Sequence, residues 1–320
     1  MLRNFAIIAS LALFAPTLAG CKVDAVLDLP EIDLELDFHG IAQAVPPDGS
    51  ENVPARAPVI IFADGVYADV DFTVEAEVNG EVIDLTAATA LSKVTSGAAK
   101  DIFILTPLDG FPLGALVTVT LAGEIDRKVS FRVSEDEDDS PADPGFETPS
   151  GWTFVGDAGT IDASGSLTPS EGSRLLALST GELLGGEAVT GTSSYATSAA
   201  MDPGGATTLS LTYTFLSSEF DDYCASDFDD TFLVVATGPE GSRSVMIDSV
   251  NVVCKDGRQS DASFEGLPDG GDEVVRGTAA TPFSLDIADL GSPIAVTFVV
   301  TDVGDAILST LVGVDGLAFE

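Results

Sequence analysis

The chain has 320 residues, with 13 Lys and Arg against 52 Asp and Glu and a formal net charge of −39. That balance excludes nucleic acid as a partner, because phosphate binding needs clustered Lys and Arg. It also argues against an anionic membrane surface as a ligand, and suits a solvated protein of salty surroundings or a binder of divalent cations. The single histidine, His39, precedes the folded body, so that body cannot assemble a Ser-His-Asp, Cys-His or His-zinc centre.

Arg3 gives a positive start, Phe5 to Phe14 is an apolar run too short for a permanent span, and Leu18-Ala19-Gly20-Cys21 follows. Residues 1–20 therefore read as a signal peptide. The Leu-Ala-Gly-Cys ending resembles a bacterial lipobox. The resemblance implies cleavage before Cys21, lipidation of its thiol and an exported protein held in the cell envelope, at the outer membrane or cell surface. Acyl chains contribute roughly 0.8 kcal/mol per buried CH₂ to such anchoring. Cys224 and Cys254 then remain as an even pair in an oxidising compartment. A disulfide is the economical inference, ahead of metal ligation by two cysteines with no nearby His.

Residues 21–44 are acidic, and Ile32, Leu34, Leu36 and Phe38 alternate with Asp33, Glu35 and Asp37. This is a tether or an extra strand. From Val45, VPPDGSENVPARAPVIIFADGV resembles the opening of a bacterial immunoglobulin-like domain, which implies a β-sandwich over 45–134 of the kind that serves as a spacer. The residues agree: Phe72, Val74, Ala76 and Val78 alternate with Thr73, Glu75 and Glu77, and Asn79-Gly80 supplies a hairpin turn. Further strands are expected at Asp101–Thr106, Ala115–Leu121 and Arg127–Val133. Residues 135–144 form an acidic linker with two prolines, a calcium loop being the sharper alternative.

From Pro144 the chain reads PGFETPSGWTFV and then SLTPSEGSRLLALSTG, which resemble the start of carbohydrate-binding and galactose-binding-like jelly rolls and imply such a domain over 145–320. TFVVTDVGDAILSTLVGVDGLAFE and Phe-Leu-Ser-Ser-Glu-Phe resemble the exported domains called "choice-of-anchor". Thr301, Ser309 and Gly316 depart from that pattern. The fold expected is all-β, an Ig-like sandwich followed by a larger jelly-roll sandwich. The carbohydrate-binding resemblance implies a structural Ca²⁺ held by Glu147, Glu171 and Asp315, with carbonyls and water completing six to eight oxygens. Solvated carboxylates are the alternative at those positions.

The central stretch runs from Thr207 to Thr237. Leu209, Leu211, Tyr213 and Phe215 alternate with Ser210, Thr212 and Thr214, and Phe232 to Ala236 reads as the antiparallel partner of that strand. Between them Glu219, Asp221, Asp222, Asp227, Asp229 and Asp230 form a second cation site, a recognition loop or a solvated, salt-tolerant loop. They lack EF-hand spacing. A glycosidase also needs two carboxylates, but with one Trp and 7% aromatic residues the aromatic lining of a sugar cleft is missing. Trp152 reads as core. The expected protein is a non-catalytic, lipid-anchored envelope protein that binds polysaccharide or another surface protein, with a structural spacer as the alternative and a carboxylate-based glycosidase as the outsider.

Overall fold

The computed structural model describes residues 44–63, 65–95, 100–123, 126–136, 140–185, 193–264, 276–303 and 308–320. Cys21, His39 and most of the tether lie outside the described residues. The N-terminal strands are β1 (Ala44–Val45), β2 (Val59–Phe62), β3 (Val70–Val78), β4 (Glu81–Asp84), β5 (Thr89–Thr95), β6 (Asp101–Pro107), β7 (Leu116–Gly123) and β8 (Arg127–Arg132). They make two four-stranded antiparallel sheets, β1-β2-β6-β5 and β4-β3-β7-β8. In β3, Val74 and Ala76 are buried while Thr73, Glu75 and Glu77 face water, as its two-residue period requires. Asn79 and Gly80 both take positive φ, 53° and 83°, which gives the β3–β4 hairpin a turn matched to strand twist.

The C-terminal strands are β9 (Trp152–Val155), β10 (Asp157–Asp162), β11 (Arg174–Ser179), β12 (Ser193–Ser198), β13 (Thr208–Ser217), β14 (Thr231–Gly238) and β15 (Gly241–Ser249). Helix α1 (Val250–Asp256) and strands β16 (Ser260–Asp261), β17 (Arg276–Gly277), β18 (Thr281–Asp286), β19 (Ala295–Thr301) and β20 (Thr310–Phe319) complete the chain. One sheet runs β15-β14-β19-β12-β9; the other runs β10-β11-β20-β13-β17-β16, with β18 also paired to β13. This is a larger sandwich of the jelly-roll type, in which successive segments cross between facing sheets.

One expectation is corrected here. β13 and β14 are not a hairpin: β13 pairs with β17, β18 and β20, whereas β14 pairs with β15 and β19 in the opposite sheet. Their apolar residues meet across the core instead, with the Tyr213 and Phe232 ring centroids 5.8 Å apart. The intervening segment crosses from sheet to sheet, anchored by buried Phe220 against Phe215. Trp152 stacks on Phe298 and donates its indole N–H to the Asp143 carbonyl at 2.9 Å.

The two sandwiches share a core. In β14, Leu233 and Val235 belong to the same apolar cluster as Ile60, Ile104 and Leu105 of the N-terminal part, while Phe232, Val234 and Ala236 face the C-terminal core. Tyr195 of β12 and Val299 of β19 join the first cluster, and Ser92 of β5 hydrogen-bonds Ser244 of β15 at 2.8 Å. Four sheets are therefore stacked, and the inner two are covered on both faces. Continuous apolar runs such as VIIF in β2 and FLVVA in β14 are the sequence form of that burial.

Candidate functional site

Three regions gather polar chemistry on this scaffold. The first is the loop from Ser170 to Arg174, which enters β11. Glu147 lies beside it: its carboxylate accepts from the Ser173 N–H at 2.7 Å, the Ser173 hydroxyl at 2.8 Å and the Arg174 N–H at 3.1 Å. Those donors, led by the Ser173 N–H, hold its carboxyl below the usual carboxylate range. Asp315 of β20 is buried, and its Oδ2 accepts from the Glu171 N–H at 2.9 Å and the Ser170 hydroxyl at 2.8 Å. Gly172 takes φ +60° against the Glu147 carboxylate, where a Cβ would collide.

The fold thus brings Glu147 and Asp315 to one loop, while Glu171 offers its backbone N–H and keeps an exposed side chain. In this structure N–H donors already bond Glu147 and Asp315 Oδ2. Asp315 Oδ1 is buried there without a hydrogen-bond partner. These carboxylate-to-backbone hydrogen bonds fasten the beginning of the sandwich to its end.

The second region is the acidic crossing between β13 and β14, which separates into two populations. Asp221, Asp222 and Asp227 are exposed, and Asp221 pairs with Arg276 at 3.0 Å. Glu219, Asp229 and Asp230 are buried, at 1%, 0% and 0% exposure. Asp229 is directed at α1, where its Oδ1 accepts from the Asn251 N–H at 2.8 Å. Cys224 and Cys254 form a disulfide with Cα atoms 5.7 Å apart, tying the crossing to the same helix. Beneath it, Arg258 and the Tyr213 hydroxyl both donate to buried Asp248.

Asp302, which follows β19 and was not singled out in the sequence, is buried beside this group at 1% exposure. Burial first, then the charges of Asp302 and Glu219, push the Asp230 carboxyl well above the usual range. Among the described residues no three or more His, Cys, Asp or Glu side chains already stand close enough together to hold a metal ion.

The third region is an open depression of about 390 Å³ on the outer face of the C-terminal sandwich. Ser210, Thr212, Pro282, Phe283, Ser284 and Gly316 line it. Ser210 stands opposite Ser284 and Thr212 opposite Pro282 in the β13–β18 pair, so these four side chains face outward together. The register of β13 against β20 shifts between Ser210 and Thr212, and Gly316 lies beside that bulge without a side chain to fill the hollow. This feature left no motif in the sequence, because hydroxyl residues on the wet face of a strand are ordinary.

Comparison with protein-family models gives no match for this chain, and comparison with curated proteins gives none either. Among solved structures, the chain is similar to a carbohydrate-binding module, TmCBM61, solved in complex with β-1,4-galactotriose. The identity is 14% and the TM-score 0.29, over 55% of this chain and 95% of that one. A structure of infectious bursal disease virus, Gx strain, aligns at 12% identity and TM-score 0.16, over 83% of this chain and 63% of that one. At these TM-scores neither likeness bears on function.

Proposed function

We propose that the protein is a lipid-anchored component of the bacterial cell envelope that binds polysaccharide through the depression between β13 and β18, without cleaving it. The observation that carries this reading is the cluster of outward hydroxyls from Ser210, Thr212 and Ser284 around the Gly316 bulge. Paired hydroxyls suit the hydroxyl-rich edge of a sugar, Pro282 offers a small apolar surface, and no carboxylate pair lines the hollow. Such a site orients a ligand and has no group for acid catalysis.

A glycan array probed with the full chain tests the proposal. Binding of at least one polysaccharide class is expected, and Ser284→Arg, at an exposed position over the hollow, should abolish it. An array without hits, or hits insensitive to Ser284→Arg and Thr212→Lys, would sink the reading. A second reading, a structural envelope element, is favoured by the core that fuses both sandwiches into one block. An empty array with a correctly folded chain would select it.

A further inference from the structure

We propose that the buried acidic end of the C-terminal sandwich is a binding site for one divalent cation of the calcium class, held by Asp230 with Glu219 and Asp302. The register places these groups together. Thr231 of β14 stands opposite Thr301 of β19, so Asp230 and Asp302, one step further along each strand, leave the sheet side by side. Glu219 arrives from the facing sheet two residues after β13, where its N–H is held by the Ser217 hydroxyl at 3.0 Å and Ser217 in turn by Thr310 at 2.9 Å.

Asp230 carries the case. It is fully buried, its Oδ1 accepts a 3.2 Å bond from the Val303 N–H, the Thr310 hydroxyl also bears on the carboxylate, and its Oδ2 has no hydrogen-bond partner. The charged groups that act on it are both carboxylates, Asp302 and Glu219, with no cationic side chain among them. A buried carboxylate without a counter-charge is expensive, and neighbours of like sign raise that cost. A divalent ion reverses the sign of every one of these interactions. All the candidate donors are oxygens, which selects a hard cation over zinc or copper. Carbonyls, hydroxyls and water would complete a shell of roughly six to eight ligands. The ion would close the sandwich by joining the ends of β13, β14 and β19, the opposite role to the hydrogen-bonded fastening at Glu147 and Asp315.

The test takes the full chain, stripped with EDTA, and titrates it with calcium chloride by calorimetry. Saturable binding is expected. Asp230→Asn and Asp302→Asn should each weaken it by at least about tenfold, through loss of one charged ligand. Asp221→Asn, at the exposed partner of Arg276, should leave it unchanged. Melting supplies the second readout: calcium raises the Tm of the wild type, because only the folded state holds the ion. Asp230→Asn melts in EDTA no lower than the wild type, having lost a buried like charge. Failure of the folded wild type to bind calcium, or unchanged binding by both Asn variants, overturns the proposal. Loss of binding in Glu147→Gln with retention in Asp230→Asn overturns it as well, by moving the ion to the other loop. The glycan array reads a different face, so its failure is distinguishable from failure here.

Discussion

Replacing Leu233 with Ala probes whether the two sandwiches unfold as one. Leu233 is fully buried in β14 and packs in the cluster that also contains Ile60, Ile104 and Val299. The substitution removes about three methylene equivalents at ~0.8 kcal/mol each, or roughly 2.4 kcal/mol of transfer free energy. Neighbouring strands are pinned by ladders on both sides of β14, so the space closes only in part. A residual hole of ~50 Å³ at ~24 cal/mol per Å³ adds about 1.2 kcal/mol, for a total near 3–4 kcal/mol. Guanidinium unfolding followed by fluorescence of Trp152, the one tryptophan, reports on the C-terminal sandwich. Amide exchange in β3 and β7 reports on the N-terminal one. The wild type should show coincident transitions, and Leu233→Ala should shift both by the same free energy. A shift of the Trp152 transition with exchange in β3 and β7 unchanged would refute the shared core as an energetic unit.

Tyr195→Phe should raise stability by about 1 kcal/mol, because the Tyr195 hydroxyl is buried between the sandwiches with no hydrogen-bond partner; a loss measured by chemical denaturation would mean that the hydroxyl is satisfied in solution. Asp101 is held below its ordinary value of 3.8: burial alone would raise it, but the Tyr67 N–H, Lys93 and Thr95 outweigh that. A depressed folded pKa gives stability that is full above the unfolded value and disappears as pH falls through the folded one. The Tm difference between wild type and Asp101→Asn should therefore be largest near neutrality and shrink as pH falls below the ordinary carboxylate value; a difference constant with pH would count against it. Removing the disulfide with Cys224→Ser and Cys254→Ser together should cost about 3–4 kcal/mol for a loop spanning 30 residues. An equal urea midpoint for oxidised protein and double variant would show that the loop is already ordered by its other contacts.

The alternation in β3 and the Asn-Gly turn were legible because one face of that sheet meets water, so each residue type reports its side. β14 was harder to place. Its run from Phe232 to Ala236 carries no alternation, since both faces are apolar, and the nearest strand in sequence looked like its partner. The double burial of such runs was itself the sign that more than two layers were stacked. At the candidate sites the limit was different. Glu219 and Asp230 stood in an acidic stretch whose exposed members, Asp221, Asp222 and Asp227, look the same in the sequence. Asp302 is contributed by another strand, and only the β14–β19 register brings it alongside. The expected ligands Glu147 and Asp315 do meet one loop, but their chemistry there depends on backbone N–H groups that a sequence does not display.

The stacking order has a consequence for the order of synthesis. β2 and β6 emerge early, yet the sheet that covers one of their apolar faces depends on β19, at Ala295–Thr301, which is made long after them. Until then Ile60 and Ile104 have no lasting cover on that side, and premature pairing with another nascent chain competes with the correct partner. A chain built this way benefits from being kept unfolded until β19 has been made. Its burden on holding factors is set by the position of one late strand, not by its length.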